Sequence, residues 1–224
     1  MRNILHIDTS TDTAVVSVSC NGVLRKMINS QNTRNHAETI NLLISNVLEE
    51  SGYTINDIAG IAVCGGPGSY TGLRIGLATA KGICYAANIS LFLHNRLSLL
   101  AYQVFSGLQP QQVFDNICVI LFARDGEYFV TGYNSMFKCI LQPTHFTDIQ
   151  LNEYIDGLSN CILSIDCPDR IPELLLQKTL LIDTNTVLNH ESWAKFVEEN
   201  FECNKSVNLF DSEPLYLKGV YTHK

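Results

Sequence analysis

A glycine-rich turn between an apolar segment and a helical one constrains the fold of this chain more than any other feature of its sequence. Residues 58–64 are almost wholly apolar, as expected of a strand that is covered on both faces. Residues 65–76, GGPGSYTGLRIG, follow at once. Glycine permits positive φ and a close approach of the backbone, and Ser69 or Thr71 can cap the helix that begins there. The pattern predicts a strand, a sharp turn and then a helix over residues 71–87.

The glycine turn admits two explanations. Free N–H groups at the beginning of a helix attract anions, so the turn could face a phosphate. Alternatively, the glycines only let the strand and the helix pack closely. The Gly-Lys-Ser/Thr of a Walker A loop is missing, and no Gly-x-Gly-x-x-Gly follows the first strand. The sequence leaves both explanations open.

The helix after the turn has a side on which another element could approach closely. The following residues lie on that side, at spacings of three and four: Gly72, Gly76, Thr79, Ala80 and Ile83. Only Arg74 and Lys81 form a narrow polar stripe, so the helix should be largely buried. Burial within the chain's own fold and burial against another subunit are both open.

The other elements of the first half follow an order typical of actin-like proteins. Strands are predicted at residues 3–8, 13–19, 23–28 and 89–93. Asn21-Gly22 marks a hairpin turn between the second and third of these. A helix begins at Asn35, the predicted N-cap, with Glu38 as its capping-box acid. The order β-β-β-α-β-α-β indicates an RNase H-like lobe.

The second half repeats this opening in weaker form. Its first predicted strands are residues 117–123, 127–133 and 137–141. We therefore expect an α/β fold of two RNase H-like lobes, residues 1–106 and a smaller, reduced lobe of residues 107–224. The last residues are expected to pack back on the first lobe.

Charge and cysteine content limit the class of function. The formal net charge is −7, and so acidic a chain binds nucleic acid poorly by itself, because Lys and Arg supply most of the affinity for phosphate. The eight cysteines form no Cys-x-x-Cys pair, and the first residues are expected to form a strand rather than a secretory signal. We expect reduced core thiols and a cytoplasmic protein. No apolar run reaches the roughly 18 residues of a membrane span.

Four segments resemble one protein family. Residues 65–81 are similar to the segment shared by the TsaB (YeaZ) and TsaD proteins, the Kae1-like family formerly called M22 glycoproteases. Residues 4–10 and 35–38 resemble the family's opening strand and the beginning of its first helix. The ending at residues 213–218, EPLYLK, is similar to that of TsaB. Length and ending favour the TsaB branch over the TsaD branch.

The resemblance implies an actin-like (ASKHA) fold and a role in the synthesis of threonylcarbamoyladenosine (t6A) in tRNA. TsaB-type proteins are non-catalytic subunits that bind and activate a TsaD-type catalytic subunit. With a TsaE-type ATPase, the complex transfers a threonylcarbamoyl group to adenosine 37 of tRNA. The resemblance thus implies no cofactor, with weak ATP or ADP binding only at the complex. It also implies indirect contact with tRNA and a homodimer when the chain is alone.

The resemblance also implies which residues act. The interface would use the two helices of the first lobe through His36, Ile40, Leu43, Leu73, Gly72, Gly76, Thr79, Ala80 and Ile83. A vestigial phosphate site would consist of Asp8, Thr9, Ser10, Gly66, Gly68 and Ser69.

The chain departs from the catalytic members of the family at two places. They carry a metal-binding His-x-x-x-His pair, but Arg96 and Leu100 occupy those positions here, and neither side chain binds iron or zinc in such a site. We expect no metal, and a structural role for His94. At the second phosphate turn, Phe122 replaces the aspartate that is usual in TsaB proteins. The alternative function, an actin-like ATPase, kinase or peptidase using Asp8 and residues 65–72, would need that turn intact.

Overall fold

Two five-stranded sheets form the framework of the part of the chain that the structure describes. The structure is a computed structural model and describes residues 1–30, 35–166, 168–170, 179–201 and 206–217. The strands of the first sheet are β1 (Asn3–Asp8), β2 (Val15–Cys20), β3 (Val23–Asn29), β4 (Gly60–Cys64) and β5 (Ser90–His94). Those of the second are β6 (Asn116–Arg124), β7 (Glu127–Asn134), β8 (Cys139–Thr147), β9 (Cys161–Ile165) and β10 (Thr179–Asp183). The described helices are α1 (His36–Ser51), α2 (Tyr70–Ala87), α3 (Arg96–Gly107), α4 (Asp148–Asp156) and α5 (His190–Glu199).

The two sheets share one topology. The first has the order β3-β2-β1-β4-β5, in which β1 to β3 are antiparallel and β1, β4 and β5 are parallel. The second has the order β10-β9-β6-β7-β8, which is the same order taken from the other edge, with the same strand directions. The predicted α/β fold of two RNase H-like lobes is confirmed by this repeat.

The chain divides into two units at positions that differ from the predicted boundary. One unit contains Met1–Arg96 and Asn189–Leu215, and the other contains Leu97–Leu188 and Tyr216–Lys224. Helix α3 joins the second unit because its Tyr102 ring packs 5.5 Å from that of Phe137. Helix α5 joins the first unit, where it packs against β3. A single division after residue 106 therefore misplaces both helices.

The first sheet has two faces of different chemistry. Side chains alternate along a strand, so Leu5 and Ile7 of β1 face one side and pack in an apolar cluster with residues of α1 and α2, including Ile40 and Leu77. His6 lies on the opposite face and is itself fully buried. Helices α1 and α2 thus cover the apolar face of this sheet.

Helix α2 packs against the turn after β1 through its glycines. A Cβ atom built on Gly72 would overlap the carbonyl oxygen of Thr9, and one built on Gly76 would overlap Thr9 Oγ1. Ala80, one turn further on, is also fully buried. Of the two explanations left open by the sequence, the structure gives burial of this row within the chain's own lobe.

The helix caps follow the predictions in part. Ser69 caps α2, because its Oγ accepts a hydrogen bond from Gly72 N at 3.2 Å. The capping box predicted at the start of α1 is wrong. Asn35 makes no side-chain cap bond, and its Nδ2 instead donates to Glu38 Oε2 at 2.6 Å.

Six cysteines lie within the described residues, and their thiols are free. Five of them are buried: Cys20, Cys64, Cys84, Cys118 and Cys161. Cys139 is partly exposed, and Cys167 and Cys203 lie outside the described residues. Over the same part of the chain, none of the helices has the length and apolar character that crossing a membrane requires.

Two alanine substitutions on α2 should have opposite effects on stability. Gly76→Ala forces a methyl group against Thr9, so we expect the free energy of unfolding to fall by about 1–3 kcal/mol. Gly82→Ala is the matched control, because a Cβ there has nothing within 4 Å, and it should stabilise the helix by up to about 1 kcal/mol. Urea unfolding followed by far-UV circular dichroism measures both. Equal stability of the two variants would contradict the packing described here.

Candidate functional site

The turn after β1 and the glycine turn pack directly on each other. Ser10 N donates to Asp8 Oδ1 at 2.8 Å, and Ser69 N donates to Ser10 O at 2.7 Å. A Cβ atom on Gly68 would overlap the Ser10 carbonyl group. The amide groups of Ser10 and Ser69, which could have bound an anion, therefore bind atoms of the chain itself.

The rest of the glycine turn is bonded to its surroundings in the same way. Gly65 N donates to His94 O at 2.7 Å, and Gly65 O accepts from Leu215 N at 2.8 Å. Gly66 O accepts from Arg96 N at 2.7 Å. Gly66 has a φ of +99°, a conformation that favours glycine. These bonds favour close packing over a phosphate cradle as the explanation of the glycines.

Most of the residues predicted to form an interface are buried in the first lobe. The buried ones are Ile40, Leu43, Gly72, Leu73, Gly76 and Ala80. His36 is also buried, and its Nε2 lies 2.9 Å from Thr11 O. Thr79 and Ile83 are partly exposed. Contact of the buried set with another subunit would require the lobe to open, whereas the outer side of the same helices is exposed.

The outer side of α1 and α2 carries small, aromatic and basic side chains. We call it the outer face and define it by Leu42 of α1 and by Tyr70, Arg74, Ala78, Gly82 and Tyr85 of α2, all of which are exposed. Arg74 stacks over the Tyr70 ring at 4.4 Å. Leu42 is 62% exposed and Tyr85 is 72% exposed, although apolar side chains of this size usually lie inside a protein.

A third aromatic side chain extends the outer face at the end of α2. Phe210 is 80% exposed, and its ring centroid lies 6.4 Å from that of Tyr85. Phe210 stands on a hydrogen-bonded turn, in which its N donates to Asn208 Oδ1 at 2.8 Å. The sequence pattern did not lead us to Leu42, Tyr85 or Phe210. The spacing of Ala78 and Gly82 repeats that of Gly72 and Gly76 and could have indicated this side of α2.

His94 has a structural partner. Its Nδ1 accepts a hydrogen bond from the indole Nε1 of Trp193 at 3.2 Å, and burial lowers the pKa of its ring to about 4. Leu100, which with Arg96 occupies the positions of the metal-binding histidines in the catalytic members of the family, is fully buried. Within the described ranges, no group of three histidine, cysteine, aspartate or glutamate side chains could hold a metal ion.

The turn predicted to correspond to the second phosphate site is a hairpin. It joins β6 to β7, and Arg124 at its start forms an ion pair with Glu127. Phe122 N donates to Asp166 Oδ1 at 2.8 Å. The backbone amide at the position of the missing aspartate thus also has a partner within the chain.

Comparison with known proteins identifies relatives of this chain. The model of the family described as TsaD, tRNA N6-adenosine threonylcarbamoyltransferase, matches residues 18–154. The tRNA threonylcarbamoyladenosine biosynthesis protein TsaB of Escherichia coli K12 is 28% identical over 96% of this chain and 94% of its own length. The TsaB of Haemophilus influenzae is 31% identical, but this alignment covers only 50% of the chain and 48% of that protein.

Catalytic relatives and solved structures match as well. The tRNA N6-adenosine threonylcarbamoyltransferase of Streptococcus mutans is 32% identical over 48% of this chain, which spans 38% of that protein. YeaZ from Pseudomonas aeruginosa has a TM-score of 0.74 at 18% identity, covering 97% of this chain and all of its own. A protein from the same organism, described as similar to peptidase YEAZ, has a TM-score of 0.79 with the same identity and coverage.

The substitution Asp8→Ala separates the two explanations of the glycine turn. Removing the carboxylate leaves the buried Ser10 N–H without its acceptor, so the free energy of unfolding should fall by about 1–3 kcal/mol. Thermal unfolding with and without ATP and magnesium measures this loss. Glu49→Ala, at an exposed position of α1, serves as the control. A melting temperature of the unsubstituted chain that rises with ATP, in a manner abolished by Asp8→Ala, would establish the phosphate explanation instead.

Proposed function

Because this chain belongs to the TsaD family of tRNA N6-adenosine threonylcarbamoyltransferases, we propose that it is a TsaB-type, non-catalytic subunit of t6A synthesis in the cytoplasm. The observation that carries the proposal is the match to the E. coli TsaB over nearly the full length of both chains. The sequence resemblance to TsaB is confirmed by that match. In the proposed function, the chain binds and activates a TsaD-type subunit, which transfers the threonylcarbamoyl group to adenosine 37.

The chemistry of the first lobe supports a non-catalytic role. Transfer of a group through a metal site needs ligands with free lone pairs. Arg96 and Leu100, at the positions of the metal-binding histidines in the catalytic members, offer no such ligand, and the Nδ1 lone pair of His94 already accepts the Trp193 indole. The amides of Ser10 and Ser69 likewise have acceptors within the lobe. These groups are therefore poorly placed to bind a substrate.

The outer face is the surface that we propose for the TsaD-type partner. Small residues at Ala78 and Gly82 let a partner helix approach closely, and Leu42 and Tyr85 supply exposed apolar area. The family model extends over both α1 and α2. A TsaD-type partner would therefore offer a similar pair of helices, and the two lobes would pair about an approximate two-fold axis.

The proposed function also involves a second copy of this chain, a TsaE-type ATPase and tRNA. Two copies of one chain can pair through one self-complementary surface, so we propose a homodimer that the TsaD-type subunit displaces. A TsaE-type ATPase would complete the complex. The formal net charge of −7 makes the chain a poor ligand for phosphate groups, so tRNA would bind through the other subunits.

Reconstitution tests the proposed function. The chain is mixed with the TsaD-type and TsaE-type proteins of its own organism, ATP, threonylcarbamoyl adenylate and unmodified tRNA, and t6A nucleoside is quantified by mass spectrometry. We expect no t6A when any one protein is omitted, and none from this chain alone. Formation of t6A at an undiminished rate without this chain would contradict the proposal.

The variant Gly82→Leu tests the docking surface without disturbing the fold. Its side chain enters open space and favours the helix, yet it would hold a partner helix away. We expect the dissociation constant for the TsaD-type subunit to rise at least about tenfold, or 1.4 kcal/mol. Glu153→Leu, on the exposed side of α4, is the control and should bind as before. Unchanged affinity of Gly82→Leu would show that the partner binds elsewhere.

A further inference from the structure

Three histidines and the only tryptophan of the chain lie together on the second face of the first sheet. His6 comes from β1, His94 from β5, and His190 and Trp193 from α5, and all four are buried. The centroid of the Trp193 ring lies 5.0 Å from that of His6, 6.1 Å from that of His94 and 5.2 Å from that of His190. We call these four residues the histidine cluster.

The cluster attaches α5 to the sheet through polar contacts. Ser17 Oγ on β2 lies 2.6 Å from His190 Nδ1, and Trp193 Nε1 donates to His94 Nδ1. An indole N–H can only donate, so this second bond exists only while His94 Nδ1 carries no proton. The attachment of α5 to β5 therefore requires a neutral histidine.

The surroundings keep all three rings neutral at ordinary pH. Burial lowers the pKa of His94 and that of His190 to about 4. Burial also lowers the pKa of His6 well below its usual value, and repulsion from His190 and His94 lowers it further. Asp8, on the same strand as His6, acts in the opposite direction and raises the pKa of His190.

The other titratable groups around the histidine cluster have little effect on its protonation. The serines of β2 that contact it, Ser17 and Ser19, carry no charge. Cys64 of β4 pairs in register with His94, and burial raises the pKa of its thiol, so it stays neutral. The charged residues of α5 are exposed or paired: Glu191, Lys195 and Glu199 are exposed, and Glu198 forms an ion pair with Arg2 at 2.9 Å. Arg96 follows His94 at the beginning of α3.

The chain after α5 is held to the first lobe by separate bonds along its length. Val207 N donates to Leu91 O at 2.9 Å, Lys81 Nζ to Ser212 O at 2.5 Å, and Leu215 N to Gly65 O at 2.8 Å. All buried members of the apolar cluster under α1 and α2 lie between Leu5 and Leu91, and the partly buried Val207 and Leu209 pack against them. Release of α5 and residues 206–215 would remove those two side chains from the cluster, while its buried members keep their contacts with one another.

We propose that the histidine cluster is an acid-sensitive latch, which releases α5 and residues 206–215 from the first sheet when its three rings are protonated, while α1 and α2 stay folded on the other face. Release would uncover the backbone of β5 at Leu91 and that of the glycine turn at Gly65. The latch is independent of the proposed function.

The direction of the pH effect follows from proton linkage. Each ring binds a proton near pH 6.5 when it is exposed to water, but only at much lower pH when it is docked. Attachment is thus complete above about pH 6.5 and weakens as the pH falls toward 4. Each ring favours release by up to about tenfold per pH unit in that window, and three rings together by up to about a thousandfold.

Trp193 reports directly on the latch in the unsubstituted full chain, because no other tryptophan contributes. We expect its fluorescence to shift to the red between about pH 6 and pH 4.5, with a pH dependence that corresponds to two or three protons. Hydrogen exchange should accelerate in residues 189–201 before it does in residues 40–48. A transition linked to fewer than about one proton, or simultaneous exchange of both segments, would overturn the proposal.

The variant His94→Gln identifies the groups that titrate. Its side-chain oxygen can still accept the Trp193 indole but does not titrate, so the midpoint of release should fall and the linked proton number should drop by about one. His145→Gln is the control, because His145 pairs with Glu127 in the second unit at 2.8 Å, and its transition should not move. Equal shifts for both variants, or none for His94→Gln, would overturn the assignment. Should His94→Gln fail to fold, the proton number and exchange order of the unsubstituted chain decide.

Discussion

The close contact of α2 with the turn after β1 determines how the helix is oriented in the first lobe and which nearby backbone amides are already bonded. Thr9 fills the space that side chains at Gly72 and Gly76 would occupy, and this fixes the rotation of α2 about its axis. One side of the helix is thereby committed to the core, and the opposite side, with Ala78 and Gly82, must face solvent. The same contact brings Ser69 N onto Ser10 O, so it also determines which backbone amides are already bonded. A single packing arrangement thus determines both which side of α2 is exposed and which backbone amides already have an acceptor within the chain.

The order of the strands could be predicted from the sequence, but the rotation of α2 could not. Local signals, such as the hairpin residues Asn21 and Gly22, have one structural outcome, and they placed the first three strands correctly. A helix that is apolar nearly all round has no polar side to orient it. Its few polar residues do not mark the exposed side of the helix either, because the side chain of Lys81 donates to Ser212 O, far along the chain. The sequence drew attention to the row of Gly72 and Gly76, and only the tertiary contact with Thr9 shows that this row is buried and that Ala78 and Gly82 face outward.

The division into units was hard to predict for a related reason. Helix α5 belongs with the first sheet through contacts that span nearly the whole chain, such as the ion pair of Arg2 with Glu198 and the stacking of Arg2 over Phe201. Sequence periodicity identifies α5 as amphipathic but does not say which sheet its apolar side covers. The polar residues of β1, His6 and Asp8, indicate that a polar element covers their face of the sheet, because a strand buried on both faces is normally continuous in apolar residues. A partner with matching polar groups had to cover them, and α5 brings His190.

The two sides of α2 have separate parts in the function that we propose. The contacts that hold the lobe together lie on the inner side, where Thr9 and Ser10 meet the glycines. In the proposed function the partner binds the outer face, which shares no side chain with those contacts. Leu100, at one of the two positions where the catalytic members of the family carry a metal-binding histidine, is fully buried and so adds apolar area to its unit. The docking that we propose depends on the fold that the glycine contacts maintain, and it needs no catalytic group in this chain.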